Sequence, residues 1–145
     1  MNTLFDFRDT TAIVTAIVTA SSRSIGGEIA AQLQHCDSFA HIFDHEPSTS
    51  TVSTNIEWRQ VDVRDPDSVA DTSASLPDDT TLLVNNAGII RDRALTEMSD
   101  GALSETALDC LPEPAGVART VLFLLSDAVR MITGEVLHVD SGQHI

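Results

Sequence analysis

The chain has 145 residues, 42% of them hydrophobic, and carries 22 acidic against 8 basic side chains, for a net charge of −14. That length accommodates one domain with a real core, and no apolar run approaches the roughly 18 residues of a membrane span. So acidic a surface repels nucleic acid and anionic membranes, and neither is an expected partner.

All eight basic residues are arginine; the chain contains no lysine and no tyrosine. A lysine-free, Asp-rich surface is expected of a halophilic protein, working where concentrated counterions screen self-repulsion; an ordinary acidic protein is the alternative. The two cysteines, Cys36 and Cys110, make no disulfide framework and no signal peptide opens the chain, so a cytoplasmic protein with reduced thiols is expected.

The first predicted strand covers residues 12–19, short and rich in β-branched side chains. It is written twice, residues 11–14 recurring as 15–18, and a four-residue slip keeps every side chain on its original face. The second copy, residues 16–19, is taken as the end that feeds the following loop, with 12–15 extending the strand backward. Ile25, Ile29 and Leu33 then recur at helical spacing until the pattern fades near Cys36. Phe39–Asp44 is a second strand, 45–55 a polar loop, and 56–63 a third strand. Asp65-Pro66-Asp67 starts a short, weak helix, and residues 81–86 form a fourth strand. No period marks 89–111. Pro114 suits a first helical position, and Val117, Val121, Leu124 and Leu125 form a stripe on a helix reaching Ser126. Residues 135–140 read as a last strand. Alternating strand and helix, without a linker, predict a single domain over 1–145: an α/β, doubly wound parallel sheet.

In such sheets the loop after the first strand and the following helix N-terminus hold a pyrophosphate through backbone N–H groups. Here that stretch is Ala20, Ser21, Ser22, Arg23, Ser24, Ile25 and Gly26. With Thr19 it resembles the T-G-x-x-x-G-x-G fingerprint of short-chain dehydrogenases/reductases, Ala20 and Ser24 replacing two glycines. Asp44 ends the second strand, VDVRD follows the third, and NNAG ends the fourth. The segments GIIRD and LFLLSDAVRMITGEVLHVDSG are similar to the 3-oxoacyl-carrier-protein reductase and acetoacetyl-CoA reductase branch. The resemblance covers residues 7–100 and 112–142, and it implies a Rossmann-like fold and NAD or NADP as cofactor. By that resemblance Asp44 accepts from the adenosine ribose, Asp62 and Val63 flank the adenine, and Asn86, Ala87 and Gly88 line the cofactor. Asp44 favours NAD and Arg23 favours NADP; the balance leans to NAD.

Full-length members carry, after the NNAG strand, two more strands and helices with a catalytic Ser, Tyr and Lys. There the Tyr hydroxyl donates the proton and the Lys ammonium lowers its pKa. This chain passes from LTEMSDGALSE almost directly to LPEPAGVARTV, so the block reads as internally absent and no catalytic residue is assigned. His138 reads as a strand residue, Arg91 and Asp92 as a loop ion pair, His41 and His45 as a poor metal pair, and no metal site is expected. The side chains at Ala20 and Ser24 are expected to weaken cofactor binding.

The readings left open are an inactive oxidoreductase homologue, a nucleotide-binding or regulatory module, an interaction module docking on full-length relatives, and a decayed gene product. For the sheet, the expectation is five strands in the parental order 3-2-1-4-7, with 135–139 parallel to 82–85. The resemblance places the 114–126 helix on the face of the missing helices, making that crossover right-handed. It also implies that this helix and the 135–140 strand can support a homo-oligomer, or a hetero-oligomer with full-length relatives.

Overall fold

The structure is a computed structural model that describes residues 6–7, 11–15, 25–46, 54–88 and 113–142, the stretch 11–15 by its backbone alone. Four parallel strands are ordered β3-β2-β1-β4: β1 Thr11–Thr15, β2 Phe39–Asp44, β3 Ile56–Gln60 and β4 Thr80–Asn85. Among the described residues three helices accompany them, α1 Ile25–His35, α2 Pro66–Ser73 and α3 Pro114–Leu125, followed by a 3₁₀ turn at Asp127–Val129. Parallel order with helical crossovers is the α/β, Rossmann-like arrangement that the alternating sequence predicts.

β2 is an inner strand, and its residues from Ala40 to Asp44 are all buried, as expected where both sheet faces are covered. Ala40 and Ile42 face α1, meeting Ile29, Ala30 and Leu33, together with Val84 of β4 and Phe7 near the amino terminus. α3 lies beside α1 on that same face, adding Ala118 and Leu122 to the core and resting Val121 and Leu125 against it. Gln32 Nε2 donates to the Ala115 carbonyl at 3.3 Å and stitches the two helices together. Leu124, one of the predicted stripe, faces outward and is 42% exposed. The apolar stripe on α3 is wider than its buried face.

Local signals set the element ends. Asp37 adopts φ 64°, the left-handed conformation that closes α1; Ser38 N–H donates to Leu33 and Asp37 N–H to Gln34, a Schellman motif built without glycine. At α2, the Asp65 carboxylate accepts from Asp67 N–H at 3.1 Å and Pro66 occupies the first turn. α2 buries none of its residues, in keeping with the weak helix expected there. β3 stops at Gln60, short of the predicted Val63. Val61 N–H still reaches the Asp44 carbonyl at 2.8 Å, but the chain then turns as Asp65 N–H bonds the Asp62 carbonyl.

Residues 11–15 pair along β2 and β4, Thr15 standing opposite Phe43 and Asn85. Residues 16–19, expected as the end that feeds the following loop, lie outside the described residues. One expectation is corrected: among the described residues the sheet has four strands, and 135–139 joins no ladder. α3 lies on the face of α1, and not on the other as expected, so a strand following it directly at the outer edge of β4 would need a crossover of opposite hand to β1–α1–β2, a rare connection. Val136 is 79% and Leu137 51% exposed.

Candidate functional site

Parallel pairing brings the carboxyl ends of all four strands to one edge, and there the described candidate residues meet. Asp44 ends β2 opposite Gln60 of β3, Asp62 follows β3 by two residues, and Asn86, Ala87 and Gly88 follow Asn85 of β4. α1 starts at this edge because it follows β1; Ile25 is its first residue and Gly26 is buried. Ala20, Ser21, Ser22, Arg23 and Ser24 lie outside the described residues, as do Arg91, Asp92 and Cys110.

Asp44 is the most constrained of the group, at 2% exposure. Its Oδ1 accepts from Glu46 N–H at 3.1 Å and lies 3.5 Å from His45 Nδ1, while Oδ2 is buried with no hydrogen-bond partner among the described residues. Burial pushes the carboxyl above its ordinary pKa, against the opposing pull of the Glu46 N–H and His45. A buried acceptor left unsatisfied is costly and rare in native proteins. A hydroxyl donor, of the kind a ribose carries, would satisfy it.

Asp62 is occupied differently. Arg64 grips it with Nε to Oδ1 at 2.9 Å and a terminal nitrogen to Oδ2 at 2.7 Å, and Arg64 N–H adds a third bond at 3.0 Å. These bonds hold its carboxyl far below the usual carboxylate range. Among the described residues, a Cβ at Gly88 would meet the Asn86 carbonyl oxygen, at 3.9 Å.

Sequence reading missed the Arg64 grip, although Asp-x-Arg after a strand is a visible signal for it. It also missed a polar cluster on the sheet face away from α1. There His41, 2% exposed, sits 3.3 Å from Glu57 and 3.4 Å from Arg59 Nε, and its Nε2 has no partner among the described residues. Burial and Arg59 lower its pKa, with Glu57 pulling the other way, so the ring is neutral at pH 7. Cys36 is a buried thiol pushed up by burial, Asp37 and Asp6, far from nucleophilic. His138 lies in the exposed segment, not in a strand. Among the described residues no group of three or more His, Cys, Asp or Glu could hold a metal, and no helix is long and apolar enough to cross a membrane.

Comparison with known proteins converges on one architecture. A short chain dehydrogenase from Leptospira borgpetersenii serovar Hardjo-bovis (strain JB197), solved with bound NAD+, superimposes with a TM-score of 0.73. The likeness covers 97% of this chain and 94% of that one, at 15% identity. The fold is that of a short-chain dehydrogenase. Residues 96–144 match the enoyl-(acyl carrier protein) reductase family model. Among curated proteins, none matches the chain. The matched segment holds α3 and residues 135–139.

Proposed function

We propose that this chain is an internally truncated, halophilic, cytoplasmic member of the short-chain dehydrogenase/reductase family, from the branch that reduces 3-oxoacyl thioesters with NAD(P)H. It keeps the adenosine half of the cofactor site and lacks the catalytic half. The observation that carries this reading is Asp44: a buried carboxylate with an orphaned oxygen, at the carboxyl edge of the sheet, two strands from Asn86. Asp44 would hold the adenosine ribose, Asp62 and Val63 the adenine once Arg64 yields, and Asn86, Ala87 and Gly88 the middle of the dinucleotide. Ala20, Ser21, Ser22, Arg23, Ser24, Ile25 and Gly26 would face the pyrophosphate. A bound nicotinamide supplies hydride, but the chain has neither Tyr nor Lys to supply and tune the accompanying proton. NAD is favoured over NADP, because the Asp44 carboxylate repels a 2′-phosphate.

Calorimetric titration of NADH and NADPH in molar KCl, beside an acetoacetyl-thioester reduction assay, tests both halves. The expected result is weak binding, tighter for NADH, and no turnover. Ordinary enzymatic turnover overturns the inactive reading, and binding that Asp44→Ala leaves unchanged overturns the site. A second reading is an interaction module docking on full-length relatives through α3 and 135–140, favoured by the exposure of Phe123, Leu124, Val136 and Leu137. Co-purification with a full-length relative, abolished by Phe123→Asp, tests it.

A further inference from the structure

We propose that the hollow between the last turn of α1 and the middle of α3 binds a small apolar carboxylate, its head paired to Arg119 and its tail among Cys36, Leu122 and Phe123. The site lies away from the nucleotide edge and does not rest on the reading of that edge.

The cavity has a volume of about 520 Å³, within the range of roughly 300–1,000 Å³ that small-molecule sites occupy. Topology puts it there. α1 starts at the carboxyl edge of the sheet, so its last turn, with Gln32, His35 and Cys36, comes down toward the opposite edge. Gln32 holds α3 alongside through the Ala115 carbonyl. α1 then ends at His35 whereas α3 runs on to Leu125, and the hollow opens where α1 gives out. Its walls are apolar, with Cys36 and Leu122 both buried and Phe123 beside them.

Charge complementarity names the ligand. Gln32 Nε2 spends its hydrogens on Glu28 Oε1 at 2.9 Å and on the Ala115 carbonyl at 3.3 Å. The Thr120 hydroxyl donates to the Gly116 carbonyl at 3.2 Å, and His35 Nδ1 to the Ala31 carbonyl at 2.6 Å. Arg119 is different. Arg59 and Arg64 each hold a carboxylate, at 3.2 and 2.7 Å, but Arg119 has no ion pair or side-chain hydrogen bond among the described residues. A guanidinium offers paired N–H donors in the geometry that a carboxylate accepts. The carboxylates of Asp37 and Asp6 bear on Cys36, so that end of the hollow repels an anionic head and takes the tail.

The net charge of −14 opposes an anion at long range. A Debye length of about 3 Å at 1 M salt removes that repulsion before it removes a pair at contact.

The test is calorimetric titration of the unmodified chain with octanoate in molar KCl, beside hexanoate and octanol. Saturable one-to-one binding of octanoate is expected, tighter than hexanoate by up to about fourfold for each methylene buried. Octanol, which has the tail without the charge, should bind at least tenfold more weakly than octanoate. Arg119→Gln should weaken octanoate at least tenfold and leave octanol and the far-UV spectrum unchanged. NADH should not displace octanoate. A failure to saturate at millimolar octanoate overturns the proposal, as does binding that Arg119→Gln leaves unchanged. Affinity indifferent to chain length, octanol binding as tightly as octanoate, or displacement by NADH overturns it equally.

Discussion

Replacing Asp44 with asparagine should stabilise the protein at neutral pH, and the gain should disappear in acid. Asp44 is 2% exposed, its Oδ1 is satisfied by Glu46 N–H, and its Oδ2 has no partner among the described residues. Burial raises its folded-state pKa above the unfolded value of about 3.9. The folded chain thus binds this proton more tightly than the unfolded chain does. The ionised carboxylate costs stability in full above the folded pKa, and the cost vanishes as pH falls below the unfolded one. An unsatisfied buried polar group costs about 1–3 kcal/mol. Asparagine keeps the shape and the Oδ1 acceptor but leaves an amide at the orphan position, so the gain sits at the low end, about 1 kcal/mol. For a chain of this size that raises Tm by about 2–4 °C. Thermal melts of both proteins at pH 7.5 and pH 4, in molar KCl, measure it. An Asp44→Asn protein less stable than the parent at pH 7.5, or a gap of equal size at both pH values, refutes the reasoning.

Three further outcomes follow from the packing. Leu122→Ala opens the seam between α1 and α3 and should cost about 2–5 kcal/mol by urea denaturation, while Leu124→Ala, on the exposed side of the same helix, should stay within about 0.5 kcal/mol. Asp37→Gly relieves the left-handed φ of 64° at the end of α1 and should stabilise by about 1 kcal/mol in the same assay. Arg64→Ala should return the Asp62 carboxyl toward its ordinary titration range by carbon NMR, with no measurable change in Tm, because the pair is solvent-exposed.

The elements that sequence located best are those whose signals are local. Phe39–Asp44 carries enough β-branched and aromatic residues to mark its own strand, and Asp65-Pro66 caps and opens α2 without help from elsewhere. Ile29 and Leu33 reached the core because α1 has a wide sheet to cover, whereas Leu124 did not, since four apolar positions on α3 compete for a narrower contact. What the chain could not announce is non-local. Residues 135–139 look like a strand yet join no ladder, and the face α3 takes is set by packing against α1, through Gln32 and Ala115, more than eighty residues apart. At the candidate site, the placement of Asp44 was legible from strand-end spacing. Its orphaned oxygen and the Arg64 grip on Asp62 depend on side-chain geometry that spacing alone does not encode.

The repeat itself yields the last prediction. Because residues 11–19 read TAIVTAIVT, removing residues 16–19 leaves the same sequence as removing 12–15, so the deletion cannot alter the strand that pairs with β2 and β4. It shortens only the connection from Thr15 to Ile25, from nine residues to five. Loop closure entropy varies slowly with length, so this change should move stability by about 0.5 kcal/mol. Binding is more sensitive. A pyrophosphate is held by backbone N–H groups that converge immediately beyond the strand, and a shorter connection brings Ala20, Ser21, Ser22, Arg23 and Ser24 to that place, as the dehydrogenase fingerprint requires. The deletion variant should therefore bind NADH at least as tightly as the parent, and more tightly if the duplication is what displaces the loop, with an unchanged far-UV spectrum. A folded variant whose NADH affinity falls would place the working end of the strand in the second copy, and with it the loop geometry proposed for this site would fail.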